Sequence, residues 1–142
     1  MKTYRDLDAW KLGMDLAKKI YEVTEEFPDS ERYGLSSQMR RAAVSIPSNI
    51  AEGSGRNHKK EFVQFLYHAR GSLLELETQF ELSKMMGFIQ ENSNVNITEL
   101  LNRTHRVING LIFALKKSRT TDNQQRTTVT RKWGEEVVEG EN

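Results

Sequence analysis

Apolar side chains recur at three- and four-residue steps through four segments of this chain, and short polar connections separate the segments. This spacing is typical of α-helices with one apolar face, whereas a half-buried strand would alternate at every second residue. The pattern predicts helices over residues 7–25, 34–53, 58–86 and 97–117. Because the connections are short, consecutive helices must run in opposite directions. The sequence therefore predicts an all-α, antiparallel, up-and-down four-helix bundle over residues 1–117.

The second predicted helix contains a proline, Pro47, inside its apolar pattern. Proline has no amide hydrogen to donate, and its ring crowds the carbonyl of the residue four positions earlier, here Ala43. We therefore expect a kink or a break between Ala43 and Ile46. Gly53 and Gly55 follow, and glycine is common where a helix ends, so they are expected to stop it.

Residues 118–142 are rich in Thr, Gln, Asn and Glu and contain few apolar side chains. Such a segment cannot bury enough apolar surface to offset the entropy of ordering it, so we expect a polar, disordered C-terminal tail. The apolar exceptions are Val129, Trp133, Val137 and Val138. Two interpretations stay open, an idle tail and a segment that docks on a partner or a neighbouring subunit.

Composition excludes several classes of protein. No apolar run approaches the roughly 18 residues that a membrane span needs, so no membrane association is expected. The chain has no cysteine, and its polar beginning does not resemble a secretory signal, which together favour the cytoplasm. The 142 residues include 21 basic and 20 acidic ones, a net charge of +1. A charge this small does not attract nucleic acid in bulk, so only a local patch could do so.

The usual signatures of catalysis are absent from the sequence. A di-iron bundle needs Glu-x-x-His pairs on its helices, and this chain has none. There is no phosphate-binding loop, no nucleophile elbow and no dinucleotide fingerprint. Arg41, Asn49 and Glu52 could form a polar site, but no nucleophile or metal-binding set accompanies them. We therefore expect a protein that is not an enzyme and that needs no cofactor and no metal.

A polar stripe follows the second predicted helix and is made of short or amide side chains with two charged ones. Three interpretations stay open: a solvated face, a binding surface, or a network inside the bundle in which Arg41 pairs with Glu75 or Glu77 of the third helix. An arginine packed there without a carboxylate would be costly. The predicted members of the stripe are Gln38, Arg41, Ser45, Ser48, Asn49, Glu52 and Glu75.

Basic residues cluster in the second helix and at the turn into the third. They are either ordinary surface charges or a patch that contacts the phosphates of RNA or DNA. No aromatic residue is interleaved with them, so the sequence does not predict a stacking platform for single strands. The candidate nucleic-acid-binding residues are Arg40, Arg41, Arg56, Lys59 and Lys60.

These segments together resemble a known family. The resemblance is carried by an aromatic-rich opening, a Phe-Pro pair and a specific nine-residue string, and it covers residue 4 to about residue 117. The chain resembles the bacterial four-helix-bundle family named for proteins encoded in intervening sequences of 23S ribosomal RNA genes. The residues concerned are Tyr4 to Leu7, Trp10, Phe27-Pro28, Tyr33 to Leu35, Gln38, Arg40 to Ala43, Ser45 to Gly53, Glu61-Phe62, Phe65-Leu66 and Gly71-Ser72.

The resemblance implies a homopentamer of bundles. It also implies a likeness in fold to the accessory variability protein of diversity-generating retroelements, which assists a reverse transcriptase and binds nucleic acid. The apolar surplus of the third helix would suit subunit contacts. Its members are Val63, Tyr67, Leu74, Leu82 and Met85. Two functions are therefore weighed: an oligomeric protein that binds RNA or DNA, and a scaffold or protein-interaction module that does not.

Overall fold

Four α-helices form the fold, as the apolar periodicity predicts. The structure, a computed structural model, describes residues 2–90 and 95–132, and it describes side chains for 2–90 and 96–118. No strand occurs in these residues. Short 3₁₀ turns precede the first two helices, at Tyr4–Asp6 and Asp29–Glu31. The helices are α1 (Asp8–Thr24), α2 (Leu35–Ser54), α3 (Lys59–Met85) and α4 (Val95–Lys132).

Neighbouring helices run antiparallel, which confirms the predicted up-and-down bundle. α2 packs between α1 and α3, and α4 packs against α3 and α1, so the chain closes a four-sided bundle. Side-chain hydrogen bonds join each helix to a neighbour. They include Arg40 with Thr24, Met39 with Ser83, Lys59 with Ser118, and Arg70 with Asn109.

One continuous apolar core fills the bundle, and every helix contributes to it. Burying each large aliphatic or aromatic side chain contributes about 1.5–3 kcal/mol of hydrophobic free energy, so this core supplies the main stabilisation of the fold. The largest fully buried apolar side chains are Leu16, Ile20, Met39, Ile46, Ile50, Leu66, Leu73, Leu76, Phe80 and Ile108.

Pro47 does not break α2, which is helical without interruption from Leu35 to Ser54. Its ring is buried against α1, where Gly13 leaves the space that it needs. A Cβ atom placed on Gly13 would lie only 3.2 Å from Pro47 Cδ. The predicted break is therefore wrong: α2 continues through the proline, and Gly13 on the neighbouring helix leaves room for its ring. A bend of α2 at this point stays a prediction.

The glycines near the helix ends have different roles. Gly87 has a φ of 77° and ends α3, with Phe88 N donating to Ser83 O in a Schellman motif. Gly55 follows the last residue of α2, as expected. Gly53, by contrast, lies inside α2 and is buried. The expectation that Gly53 stops the helix is thus wrong.

The fourth helix continues to Lys132, fifteen residues beyond its predicted end at Lys117. Neither glycine nor proline occurs from Leu111 to Trp133, so no residue there forces the helix to end. The helical backbone of 118–132 differs from the predicted disordered tail. The rest of that tail, including Trp133, Val137 and Val138, lies outside the described residues.

Candidate functional site

The outward face of α2 carries most of the predicted polar stripe. Ile46, Pro47, Ile50 and Gly53 of α2 point into the bundle and are buried. Polar side chains on the remaining face of α2 are exposed or half-buried. These residues are Gln38, Arg41, Ser45, Ser48, Asn49 and Glu52. The structure therefore brings six of the seven predicted stripe residues onto one accessible face, with Glu75 on α3 instead.

A groove of about 700 Å³ opens over this face. Five residues of the polar stripe line it: Arg41, Ser45, Ser48, Asn49 and Glu52. Gln38 and Glu75 do not. Tyr21 of α1, Arg32 and Tyr33 of the segment before α2, and Arg40 of α2 itself also line it. We call this feature the α2 groove.

The short polar side chains of the α2 groove bond to the backbone of their own helix. Ser45 Oγ donates to the carbonyl of Arg41 at 2.9 Å, and Asn49 Nδ2 donates to the carbonyl of Ser45 at 2.8 Å. These bonds use donors of both side chains locally. The hydrogen-bonding groups of the short side chains in the groove are therefore partly occupied. The charged side chains at its rim are the groups that can bind a ligand.

Arg40 is tied to α1. Its Nε donates to Thr24 Oγ1 at 2.8 Å, and its Nη2 donates to Glu25 Oε2 at 3.1 Å and to the carbonyl of Tyr21 at 3.2 Å. The guanidinium also stacks over the Tyr21 ring, 4.6 Å from its centroid. Arg40 thus joins α1 to α2, and most of its donors are occupied.

Arg41, the next residue, is exposed and forms no hydrogen bond or ion pair through its side chain within the described part of the chain. The network in which it would pair with Glu75 or Glu77 is not formed. Glu75 accepts from Gln79 Nε2 at 3.2 Å, and Glu77 pairs with His105 Nε2 at 2.8 Å. Both glutamates therefore have partners on α3 or α4. Arg41 is an accessible cation at the groove.

Two tyrosines share the groove with these arginines. Tyr21 is 46% exposed and Tyr33 is 89% exposed, and both line the groove. The expectation that no aromatic residue is interleaved with the basic ones is therefore wrong. Tyr21 comes from α1 and Tyr33 from the segment before α2, so the fold interleaves residues that the sequence keeps apart.

The second basic cluster lies at the other end of α2. Arg56 bonds Glu52 Oε1 at 3.1 Å and stacks over Phe65, 4.8 Å from the ring centroid. Lys59 Nζ donates to Ser118 Oγ of α4. Arg41 and Arg56 are separated by about 22 Å along the helix direction at 1.5 Å per residue. The five predicted nucleic-acid-binding residues thus form two patches rather than one.

Lys60 is the available cation of that second patch. Its side chain is exposed and has no hydrogen bond or ion pair to any other described residue. Among the residues whose positions are described, no group of three His, Asp or Glu side chains could hold a metal ion. The predicted site therefore reduces to cations that are accessible, Arg41 and Lys60, and cations that are engaged, Arg40, Arg56 and Lys59.

Comparison with known families gives one match. The sequence model of the 23S rRNA-intervening sequence protein family matches residues 5–110. The chain belongs to this family. The family predicted from the nine-residue string and its neighbours is therefore confirmed. No curated protein matches the chain.

The family match covers every candidate residue of this intervening-sequence-family protein. It spans α1, α2 and α3 and ends at residue 110 within α4. The α2 groove and the Arg56–Lys60 turn both fall inside it. The part of α4 beyond residue 110 lies outside it, so the extension of this helix is no part of the family match.

The family member also exposes apolar surface on α3. Leu74 is 52% exposed and Met85 is 83% exposed, and Leu82 lies on the same helix at 45%. Val63, predicted to belong to this surplus, is instead 2% exposed and part of the core. Tyr67 is half-buried and accepts a hydrogen bond from Lys116 Nζ at 2.8 Å. Three of the five predicted surplus residues thus remain uncovered.

None of the helices, within the residues described, combines the length and the apolar character that crossing a membrane would require.

Proposed function

We propose that this family member is a non-enzymatic protein that assembles with copies of itself and binds the phosphate backbone of RNA or DNA. The observation that carries the proposal is Arg41, an exposed guanidinium in an open groove, with no carboxylate partner among the described residues. A planar guanidinium binds phosphate with two parallel N–H donors. A carboxylate partner would occupy the same donors. The fork of Arg41 is therefore available to a phosphate.

The predicted basic residues contribute unequally to this binding. Arg41 and Lys60 are accessible cations, whereas the guanidinium of Arg40 already serves Thr24 and Glu25. Arg56 is paired with Glu52. With a net charge of +1, binding depends on these local cations rather than on the field of the whole protein. Removing one phosphate-binding cation reduces the slope of log affinity against log salt by about 0.7 for single strands and about 0.9 for duplexes.

Self-assembly would use the exposed apolar part of α3. Leu74, Leu82 and Met85 lie uncovered on one helix, and exposed apolar clusters commonly mark protein contacts. The family resemblance implies a pentamer, in which Arg41 and Lys60 would recur around a ring. Repetition would convert a few weak phosphate contacts per subunit into useful avidity, because later contacts become intramolecular.

The side chains of the groove support a binding role rather than catalysis. The Ser45 hydroxyl donates to the Arg41 carbonyl, so it closes its own helix turn and is not activated as a nucleophile. Asn49 likewise donates to its own backbone. Glu52 is engaged by Arg56. Each of these polar groups thus has a structural partner, and the group that remains accessible is a cation.

The test is light scattering coupled to size-exclusion chromatography, with and without a short RNA, at about 50 mM and then about 200 mM salt. We expect a mass near five subunits that gains RNA at the lower salt only. The variants Arg41→Gln and Lys60→Gln should each weaken binding and reduce the salt slope. Arg103→Gln removes the same charge from an exposed position on α4, which packs against α1 and α3, and serves as the matched control.

Three results would contradict the proposal. A monomeric mass would exclude assembly through α3. Equal affinities for the wild type, Arg41→Gln and Lys60→Gln would exclude the accessible cations as the binding groups. An intact oligomer that takes up no RNA or DNA at either salt would leave the scaffold function. That second candidate is favoured by the exposed Leu74 and Met85 and by the near-zero net charge.

A further inference from the structure

The α2 groove combines an accessible cation with exposed aromatic rings, and this combination specifies the form of nucleic acid that fits it. We infer that the groove binds single-stranded RNA or DNA, with a base stacked on Tyr33 and an adjacent phosphate bound by Arg41. The inference rests on the proposed function and adds the strandedness of the ligand and the group that recognises it.

Tyr33 is the most exposed large apolar side chain in the described part of the protein, at 89%. It lies just before α2, next to the N-cap residue Gly34, so the rigid start of a helix holds its backbone. The Arg32 guanidinium lies 5.9 Å from the ring centroid, a loose contact that leaves the ring accessible. A tyrosine in this position offers a large, flat, stiff surface at low entropic cost.

Tyr21 of α1 provides a second ring in the groove. Arg40 covers one side of it at 4.6 Å, and Thr24 and Glu25 hold Arg40 in place. The ring is thus fixed, yet it stays 46% exposed and lines the groove. Aromatic rings beside a cationic backbone site are the arrangement by which proteins hold successive bases of a single strand.

The preference for a single strand follows from the way in which a duplex presents its bases. Paired bases stack on one another and present only their edges, so a tyrosine ring cannot reach a base face except at an end or a bulge. A single strand leaves its bases free to stack. The groove volume of about 700 Å³ also lies within the range of about 300–1,000 Å³ that suits small ligands, hence one or two nucleotides.

The ligand must also match the charge of the groove. Arg32, Arg40 and Arg41 line it, and Arg40 is already paired with Glu25; the one carboxylate in the lining, Glu52, is paired with Arg56. Arg32 lies beside Tyr33, and Glu52 lies eleven residues further along α2 than Arg41. A ligand with anionic groups and flat rings in alternation, as in a polynucleotide, therefore fits the tyrosine end of the groove.

The test compares binding of a single-stranded oligonucleotide of about 10 nucleotides with binding of its duplex, by fluorescence anisotropy with the full chain at about 50 mM salt. Tyr33→Leu removes the aromatic ring and keeps an apolar side chain. We expect it to weaken single-strand binding by about tenfold and to leave duplex binding unchanged. Tyr33→Phe keeps the ring and should bind like the wild type.

The salt dependence separates stacking from phosphate binding. Tyr33→Leu should keep the slope of log affinity against log salt, because every phosphate-binding cation is still present, whereas Arg41→Gln should reduce it by about 0.7. Unchanged single-strand affinity of Tyr33→Leu, or an equal weakening on duplex, would overturn the inference and leave the proposed function standing if Arg41→Gln still weakens binding.

Two further outcomes would also overturn the inference. If Tyr33→Leu lowers the mass of the assembly, the groove is a contact between copies of this chain. If the wild type binds neither single strand nor duplex, the proposed function fails and the inference fails with it. Because Tyr33 is exposed, circular dichroism should show the same helix content in both Tyr33 variants, so that an effect on binding is not an effect on folding.

Discussion

Gly53 of α2 lies so close to Phe65 of α3 that a Cβ atom placed on the glycine would be 2.5 Å from the Cβ of the phenylalanine. The same atom would lie 3.0 Å from Phe62 Cδ1. Real Cβ atoms do not approach one another so closely, so only glycine permits this spacing of the two helices. Gly53 is therefore a packing residue, and it fixes how α2 sits on α3.

Replacing Gly53 with alanine should destabilise the bundle. We expect Gly53→Ala to lower the free energy of unfolding by about 1–3 kcal/mol, because the two helices must separate to admit the methyl group. Gly110→Ala is the control, since nothing lies within 4 Å of its added Cβ and it should stabilise α4 by about 0.5–1 kcal/mol. Urea titration at one fixed protein concentration measures both. Equal stabilities of the two variants would refute the packing role.

Gly13 and Pro47 should be energetically coupled. Gly13→Ala gains about 0.8–1.0 kcal/mol of helix propensity but brings a methyl group within 3.2 Å of the proline ring, so the gain should disappear. With Pro47→Ala in the background, the contact with Cδ is removed while those with Cβ and the backbone N, both at 3.3 Å, remain, so part of the propensity gain should return. A double-mutant cycle by urea denaturation should yield a coupling of at least about 0.5 kcal/mol. Additive effects would mean that the ring and the glycine do not constrain each other.

Arg40 and Arg41 are adjacent arginines whose replacement by lysine should have different effects. Lysine cannot reproduce the fork by which Arg40 bonds Thr24 and Glu25, so Arg40→Lys should lower the unfolding free energy by about 1–2 kcal/mol. Arg41→Lys should change it by less than about 0.5 kcal/mol, because Arg41 is exposed. Thermal and urea unfolding of the pair provide the comparison, and a larger destabilisation by Arg41→Lys would contradict the assignment.

Tyr67 should have a lower pKa than an ordinary tyrosine. The Lys116 ammonium donates to its phenol oxygen, and this bond, with the positive charges of Lys116 and Arg70, lowers the pKa of Tyr67 below its usual value of 10.0. Because the folded pKa is the lower one, the associated stability is present above the unfolded value and is lost as the pH falls through the folded value.

Tyrosinate absorbance during an alkaline titration measures this shift. The wild type should show an early step below the usual tyrosine value, and Lys116→Met should move that step up toward the unperturbed value. Lys11→Met removes an exposed charge on α1 and should leave the early step in place. An early step that survives Lys116→Met would show that another group lowers the pKa.

Helix positions can be predicted well because each helix buries one face. Apolar periodicity places α1 at residues 7–25, against Asp8–Thr24 in the structure. The end of α3 is predictable from Gly87, whose positive φ suits glycine. Prediction fails at the end of α4, where the apolar pattern stops at residue 117 but no glycine or proline ends the helix. Apolar periodicity shows which part of a helix is buried. A helix can continue beyond the part that packs against its neighbours.

The site is harder to predict because it depends on how helices face one another. Arg40 and Arg41 are neighbours in sequence, and only the rotation of α2 relative to α1 decides which one reaches Thr24. Tyr21 and Tyr33 belong to no common periodic pattern, so spacing alone does not predict that they meet at one groove. The polar stripe, in contrast, can be predicted, because it occupies the positions of one helix that are not buried.

The string from Ser45 to Gly53 is constrained on two sides of one helix. Ile46, Pro47, Ile50 and Gly53 are buried against the other helices, while the positions between them form the floor of the groove. Few of its nine positions could accept an arbitrary residue. A strong signature in this string does not by itself indicate a reaction, because helix packing and the lining of the groove already constrain its positions.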